Sequence, residues 1–510
     1  MPNASFFAPP LLLLALAGSP AAQDAGPTFG HARARELAEL GRLPTCHDVV
    51  VRDIVNYHHH ALPTPRADKD VALDLRFDRS CAGEGDTVVL QVGYTTRPEG
   101  DRAFAAPCTV ALVVDCSGSM HERGKMDQVR AGLREFVRHL RPDDEVALVA
   151  FSTDARVVAA RRARGDGRWL QTAIDELQPG GNTNLHAGLM AGLRELQQED
   201  TRGRSQRVVL LTDGIANTGV TDPAQMLADS EPFTRNTIDI STIGVGENLD
   251  VPLLEKLARG TRGLFHFVGD AQDVQKVFVE ELASLLMPVA RRPRLVVTLG
   301  SDLRVEHVFH EGVRHEGNDR LAIDLPDLNA GVTGVVMLRC RIAGRAPESL
   351  SARAELTFDA ASTGRSAVER ASADLRTTSA SYTVQPGDTL EAIARQQLGD
   401  RTLGPEIERL NDVDGRRLEV GQRLRLPAAS AIDIEVRKNH AIAVLAQGLR
   451  DMAQACESKR WADADRALKL AQDEARRLFP GDDQDLQRVR DIAAGHARTL
   501  QRYVDRFRDY

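Results

Sequence analysis

The chain has no excess of positive charge, almost no long apolar run and few cysteines, and each shortage closes off a class of function. Its 510 residues carry 65 Lys and Arg against 73 Asp and Glu, a net charge of −8. Over that length such a balance argues against a nucleic-acid-binding surface, which needs a basic face. One stretch, residues 6–17 around Leu11-Leu12-Leu13-Leu14, could interest a membrane, and it is too short to span one. The small residues Ala17-Gly18-Ser19-Pro20-Ala21-Ala22 then suit signal peptidase, so residues 1–22 read as an export signal and the mature chain is expected outside the cytoplasm. No Lys or Arg precedes the run, and no cysteine follows it to carry a bacterial lipid anchor. The 6 cysteines are scattered. Cys108 and Cys116 flank one extended segment, too far apart to bridge, which leaves Cys46 with Cys81 as the pair to consider. No Cys-x-x-Cys and no His-Glu-x-x-His pattern occurs.

What is present is ordinary for a globular chain, 42% hydrophobic and 27% charged, and long enough for three or four domains. The most telling stretch is Val110-Ala111-Leu112-Val113-Val114-Asp115-Cys116-Ser117-Gly118-Ser119. Its apolar run reads as a strand buried on both faces, as in a parallel sheet. The strand ends in an acid and two hydroxyls, at the sheet edge where α/β folds place ligands. Asp115, Ser117 and Ser119 alternate, so a tight loop can aim three oxygens at one centre, a donor set for Mg²⁺, Ca²⁺ or Mn²⁺. Two more segments follow in order: Gly180-Gly181-Asn182-Thr183-Asn184 opens a helix with a hydroxyl, and Arg207 to Gly214 is a second buried strand ending in Asp213. The plainer alternative is an Asp-Ser-Ser turn that merely caps a helix.

Asp115, Ser117, Ser119, Thr183 and Asp213 together resemble the metal-ion-dependent adhesion site of von Willebrand factor type A (VWA) domains. The resemblance implies that these five hold a divalent cation, and that a partner's Asp or Glu fills the coordination position they leave open. Cys116 departs from the usual motif and is expected to point away and pack. Strand and helix alternate from Thr109 onward. Strands over 145–151 and 238–245, with helices over 126–140, 166–177, 185–196, 223–233, 249–258 and 274–286, imply a doubly wound, Rossmann-like parallel sheet.

Around this core the period changes. Residues 71–77 and 87–94 alternate as antiparallel strands, and so do 293–298, 304–309, 320–325, 332–342, 351–358 and 371–375, which reads as one β-sandwich joined by the strands before the core. His58-His59-His60 invites a metal reading, but neighbours in sequence cannot all face one ion on a regular element. The segment resembles the Asn-Tyr-aromatic-Pro stretch that precedes the VWA domain in a family of secreted bacterial proteins, which implies that the histidines replace packing aromatics. Members of that family are labelled relatives of calcium-activated chloride channels; no segment here could form a pore.

Tyr382 to Leu390, Ile407 to Asn411 and Val420 to Pro427 resemble a LysM module, a βααβ unit that binds N-acetylglucosamine polymers such as peptidoglycan. The match implies a glycan site at Gly387, Asp388, Thr389, Leu390 and Asn411, although few aromatics are at hand for stacking on sugars. Polar linkers bracket the module, so it is expected to be an insertion removable without unfolding the rest. Behind it, three apolar stripes at three-four spacing read as a packed helical unit.

The expected division is therefore 1–22 signal, 23–106 extension contributing strands to the sandwich, 107–290 VWA domain, 291–376 β-sandwich, 381–428 LysM module and 431–510 helical bundle. The expected function is binding rather than catalysis: a periplasmic or secreted, wall-associated adhesin or scaffold, with a protein partner presenting Asp or Glu and with peptidoglycan. The alternatives are a peptidoglycan-remodelling factor or hydrolase accessory, and a chaperone-like partner of an ATPase, which export disfavours.

Overall fold

The structure, a computed structural model, describes residues 29–506 apart from 84, 99–106, 198–203, 236–237, 247–248, 262, 269–287, 318, 344–348, 362, 378–379, 399–400, 416 and 427–431. The export signal and the helix expected over 274–286 lie outside the described residues.

Strand Cys108–Asp115 runs through the middle of a six-stranded sheet, between Glu145–Phe151 and Ser205–Thr212. Ile238–Val245 and Phe265–Val268 extend the sheet on one side and Ala155–Ala163 ends it on the other. Every residue of Cys108–Asp115, Ser205–Thr212 and Ile238–Val245 is buried. Helices Lys125–His139 and Arg168–Asp175 cover one face, and Leu185–Leu196 with Val251–Gly260 cover the other. Burial on both faces is why these strands read as continuous apolar runs. The edge strand Ala155–Ala163 is antiparallel to its neighbour and largely in water. Its Arg-rich sequence gave no strand signal. Helix Leu185–Leu196 lies so close to the sheet that a Cβ on Gly192 would sit 2.4 Å from Val113 Cγ2.

Two sheets, antiparallel but for the short edge strand Cys81–Ala82, form the sandwich. One has the order Val71–Phe77, Thr87–Thr96, Thr333–Ile342, Leu303–Val308. The other is built on Pro288–Leu299, Ser349–Ala360 and Ser366–Thr377. Val88, Leu90 and Val92 face the second sheet. Their alternate neighbour Val89, with Val335 and Met337, packs instead against the C-terminal helices Ile434–Glu457, Trp461–Leu478 and Gln484–Arg506. Thr87–Thr96 is thus buried almost throughout, a polar position included: Gln91 Oε1 accepts from Asn439 Nδ2 at 2.9 Å.

The N-terminal helix Phe29–Glu39 packs on Gln484–Arg506, where His496 Nε2 lies 2.8 Å from the Ala34 carbonyl. Asn56 binds Val335 as a strand neighbour would, accepting from its N–H at 2.7 Å and donating to its carbonyl at 3.1 Å. Beside it the Tyr57 ring stacks on His31 with centroids 3.9 Å apart. His58 and His60 are 3% and 2% exposed, with ring centroids 4.5 Å apart. These two pack against neighbouring rings, as the resemblance to an aromatic segment implied, whereas His59 is exposed. No disulfide is present among the described residues, so Cys46 and Cys81 are not joined.

The small module pairs Ala380–Thr383 with Arg423–Leu426 and places helices Leu390–Leu398 and Gly404–Asn411 between them. It is held by more than its linkers. Glu406, 7% exposed, receives Arg79 Nη1 at 2.8 Å, Arg409 Nη2 at 2.7 Å and Arg437 Nη2 at 3.0 Å. Arg79 comes from the sandwich and Arg437 from the long C-terminal helix, while Asp78 backs Arg79 at 2.8 Å. Arg425 of the module reaches Asp86 of the sandwich at 3.0 Å. Burial alone would raise the Glu406 carboxyl, but the three guanidiniums outweigh it and hold the group far below the usual carboxylate range.

Candidate metal centre

The central strands of the α/β sheet end side by side, and backbone hydrogen bonds stitch their loops together. Cys116 N donates to Phe151 O at 2.7 Å, Gly180 N to Cys116 O at 2.7 Å, and Gly118 N to Gly181 O at 3.1 Å. Gly181 has φ 86°, which glycine adopts at low cost, and there the second loop turns toward the first. Thr183 N donates to Asn217 Oδ1 at 2.9 Å, and Asn217 N returns a bond to Thr183 O at 3.1 Å. Asn184 then caps the following helix, accepting from Ala187 N at 3.1 Å.

This frame gathers all five residues singled out by the sequence. Asp115 and Asp213 are 0% and 2% exposed, Ser117 2% and Thr183 4%. Ser117 Oγ and Ser119 Oγ lie 3.1 Å apart, and Ser119 donates to Asp213 Oδ1 at 2.7 Å. A Cβ on Gly214 would stand 3.6 Å from Thr183 Oγ1 and 3.9 Å from Ser119 Oγ, so both hydroxyls border that glycine. Asp115 is held from two sides: Ser117 N donates to Oδ1 at 2.7 Å and the Thr212 hydroxyl to Oδ2 at 2.6 Å. Burial pushes the Asp115 carboxyl up to about 6 despite those donors, and the neighbouring Asp213 charge adds to the rise.

Chemically this is two buried carboxylates and three hydroxyls converging at a sheet edge. The carboxylates repel, and a hard cation among the oxygens relieves both, so the residues present fit Mg²⁺, Ca²⁺ or Mn²⁺. Among the described residues no group of three or more His, Cys, Asp or Glu is placed to hold a metal, so any site here draws on hydroxyl oxygens. The Cys116 side chain is buried in the apolar layer between sheet and helix, away from this chemistry.

Sequence reasoning missed Thr212, Asn217 and Lys125. Thr212 orients Asp115 across two strands, and Asn217 orients Thr183 across two loops. Lys125 places Nζ 2.6 Å from Asp213 Oδ2. Their roles depend on which strands become neighbours; a Thr directly before a strand-ending Asp was the one local hint.

In the small module the five glycan candidates divide. Gly387 forms the turn with φ 88° and Asp388 is half-buried beside it. Asp388 Oδ2 accepts from Gln385 N at 2.7 Å and Tyr382 OH at 2.8 Å, and Thr389 caps its helix through Ala392 N at 3.2 Å. Leu390 belongs to the module's core, and Asn411 staples helix to strand, accepting from Arg425 N at 2.7 Å and donating to Ile407 O and Arg425 O at 2.8 Å each. These side chains serve the module internally. At this end the 387–389 turn meets residues 412–415, where Gly415 packs on Leu390.

Comparison with known proteins matches two of the expected domains. The family model described as von Willebrand factor type A domain matches residues 109–280, and that described as LysM domain matches residues 382–427. The chain is 25% identical to YfbK of Escherichia coli (strain K12) over 320 residues, 60% of this chain and 55% of that protein. It is 28% identical to human inter-alpha-trypsin inhibitor heavy chain H4 over 235 residues, 43% of this chain and 25% of that one. It thus spans about half of the first relative's length and a quarter of the second's. Among solved structures, a von Willebrand factor type A protein from Catenulispora acidiphila superposes with a TM-score of 0.50 at 15% identity, covering 79% of this chain and 87% of that one. That likeness shows the fold.

Proposed function

We propose that this chain, which carries a VWA domain and a LysM domain, is a wall-associated adhesion or scaffold protein of the cell envelope, exported to the periplasm or beyond. VWA and LysM domains are typically binding domains rather than catalysts. In this reading Asp115, Ser117, Ser119, Thr183 and Asp213 hold a divalent cation, Mg²⁺ first among the candidates. When bound, the cation supplies a Lewis-acidic seat for the carboxylate of a partner's Asp or Glu. Thr212 and the Ser117 N–H fix the Asp115 carboxylate, while Asn217 fixes Thr183 at the rim. The LysM module holds peptidoglycan through the 387–389 turn and residues 412–415. A role as accessory to a peptidoglycan-remodelling enzyme stays as the alternative, since the same two contacts would serve it.

The observation that carries the reading is the convergence of two buried carboxylates and three hydroxyls at one sheet edge. Isothermal titration with Mg²⁺ and Mn²⁺ tests it. Asp115→Ala should abolish binding, because the hydroxyls left behind carry no charge to replace it, yet it should leave the fold intact. Equal ion affinity in wild type and Asp115→Ala would falsify the site. For the second contact, sedimentation with purified sacculi should carry the full chain down, and a variant lacking residues 381–428 should stay in solution.

A further inference from the structure

Lys125 is the first residue of helix Lys125–His139, directly after the turn Gly118–Gly124 that leads away from Ser117 and Ser119. Its side chain is 13% exposed, and it runs inward rather than into solvent. The stem passes Gly246, where a Cβ would lie 3.5 Å from Lys125 Cε and 3.6 Å from Nζ. The ammonium ends 2.6 Å from Asp213 Oδ2, and the Asp213 side chain is 0% exposed. The other oxygen of Asp213 takes the Ser119 hydroxyl at 2.7 Å. A lysine normally keeps its head in water. Here the head is spent on one of the two carboxylates of the metal centre.

We infer that Lys125 is a fixed internal counter-ion of the metal site, which loosens the hold on the cation and couples cation binding to capture of an anionic ligand. The inference rests on the metal reading above. Asp115 and Asp213 alone would neutralise a divalent ion. With Lys125 counted, one net negative charge faces the ion, and the loaded site is left positive by one. Two consequences follow. The ion is attracted less than two buried carboxylates would attract it, because a cation stands within the same low-dielectric region. An incoming carboxylate restores neutrality, so it binds best when the ion is present, and by reciprocity it tightens the ion. The class of ligand is therefore an anion, and the cation and the anion arrive as a pair.

The test uses the full chain and two probes, Mn²⁺ alone and Mn²⁺ with acetate as a minimal carboxylate. Wild type should bind Mn²⁺ weakly, and more tightly when acetate is added. Lys125→Met, which keeps the stem against Gly246 and removes the charge, should bind Mn²⁺ roughly tenfold more tightly and respond little to acetate. Lys125→Gln should behave in the same way, which guards against a packing defect in the methionine variant. Lys125→Arg should retain the wild-type pattern. Equal or weaker Mn²⁺ affinity in both neutral variants, with the acetate response kept, would overturn the counter-ion role while leaving the metal reading intact. A wild type that takes up no Mn²⁺, like Asp115→Ala, would overturn the metal reading and this inference with it.

Discussion

Buried histidines make the stability of the protein depend on pH. Burial lowers His31 to about 3 and His58 to about 4, and puts His60 well below its ordinary value. In the unfolded chain each titrates near 6.5. Between the two values the unfolded state binds more protons, so stability is full above about pH 6.5 and is lost as pH falls toward 4. The loss is on the order of 1 kcal/mol per pKa unit for each histidine. Urea unfolding at a series of pH values should show it, and His58→Phe should flatten the curve by removing one titrating group. A curve unchanged in that variant would mean that His58 is not protonated on unfolding in this range. The five residues proposed to hold the metal were readable at this scale because a strand-ending acid and alternating hydroxyls are local patterns. Lys125 was not, since the helix that carries it starts with nothing in the sequence to say it faces Asp213.

Among elements, helix Leu185–Leu196 owes its position to a missing side chain. A methyl group at residue 192 would meet Val113, in the strand that carries Asp115. Gly192→Ala should cost about 1–3 kcal/mol, and because the strand must shift, it should weaken Mn²⁺ binding as well. Stability loss with ion affinity untouched would show that the helix adjusts instead. The LysM module makes the second case. Glu406→Gln leaves Arg79 and Arg437 buried with less negative charge, and breaking a buried pair of this kind costs about 3–5 kcal/mol. The module should then be cut faster by protease at its linkers; an unchanged cleavage rate would mean that the ion pairs do not hold it. Most elements were legible from their periods. Ala155–Ala163 was not, because an exposed edge strand rich in arginine has no apolar face to alternate. Residues 87–94 read only as an alternating strand, because nothing nearby in sequence announces that helices more than 300 residues later cover the outer face of Thr87–Thr96.

For the whole molecule, the sequence suggests a string of modules, and the structure shows cores that cross between them. The first helix, the outer face of the sandwich and the three C-terminal helices share one apolar cluster. Removing residues 432–506 would bare Val89, Val335 and Met337 and leave Asn56 and Gln91 on an uncovered sheet, so that truncation should yield aggregated protein even though every α/β element remains. A soluble, cooperatively folding product would show that the helices are an addition to the fold rather than a layer of it. The junctions were hidden from the sequence because they join segments far apart in the chain, as Glu406 shows by pairing with Arg79, more than 300 residues before it, and with Arg437 of the helix that follows the module.

That docking has a mechanical side. A LysM unit on a loose tether lets a second site sweep out a volume, and the local concentration it offers falls as the tether lengthens. Clamped through Glu406 and Arg425, this unit has no such freedom. On the proposed function, a partner held at the VWA edge would meet the glycan strand in a fixed register, so avidity would be gained only where the wall presents both targets in that register. Tension between wall and partner would then pass through the ion pairs at Glu406 and Arg425, rather than through a linker that would stretch.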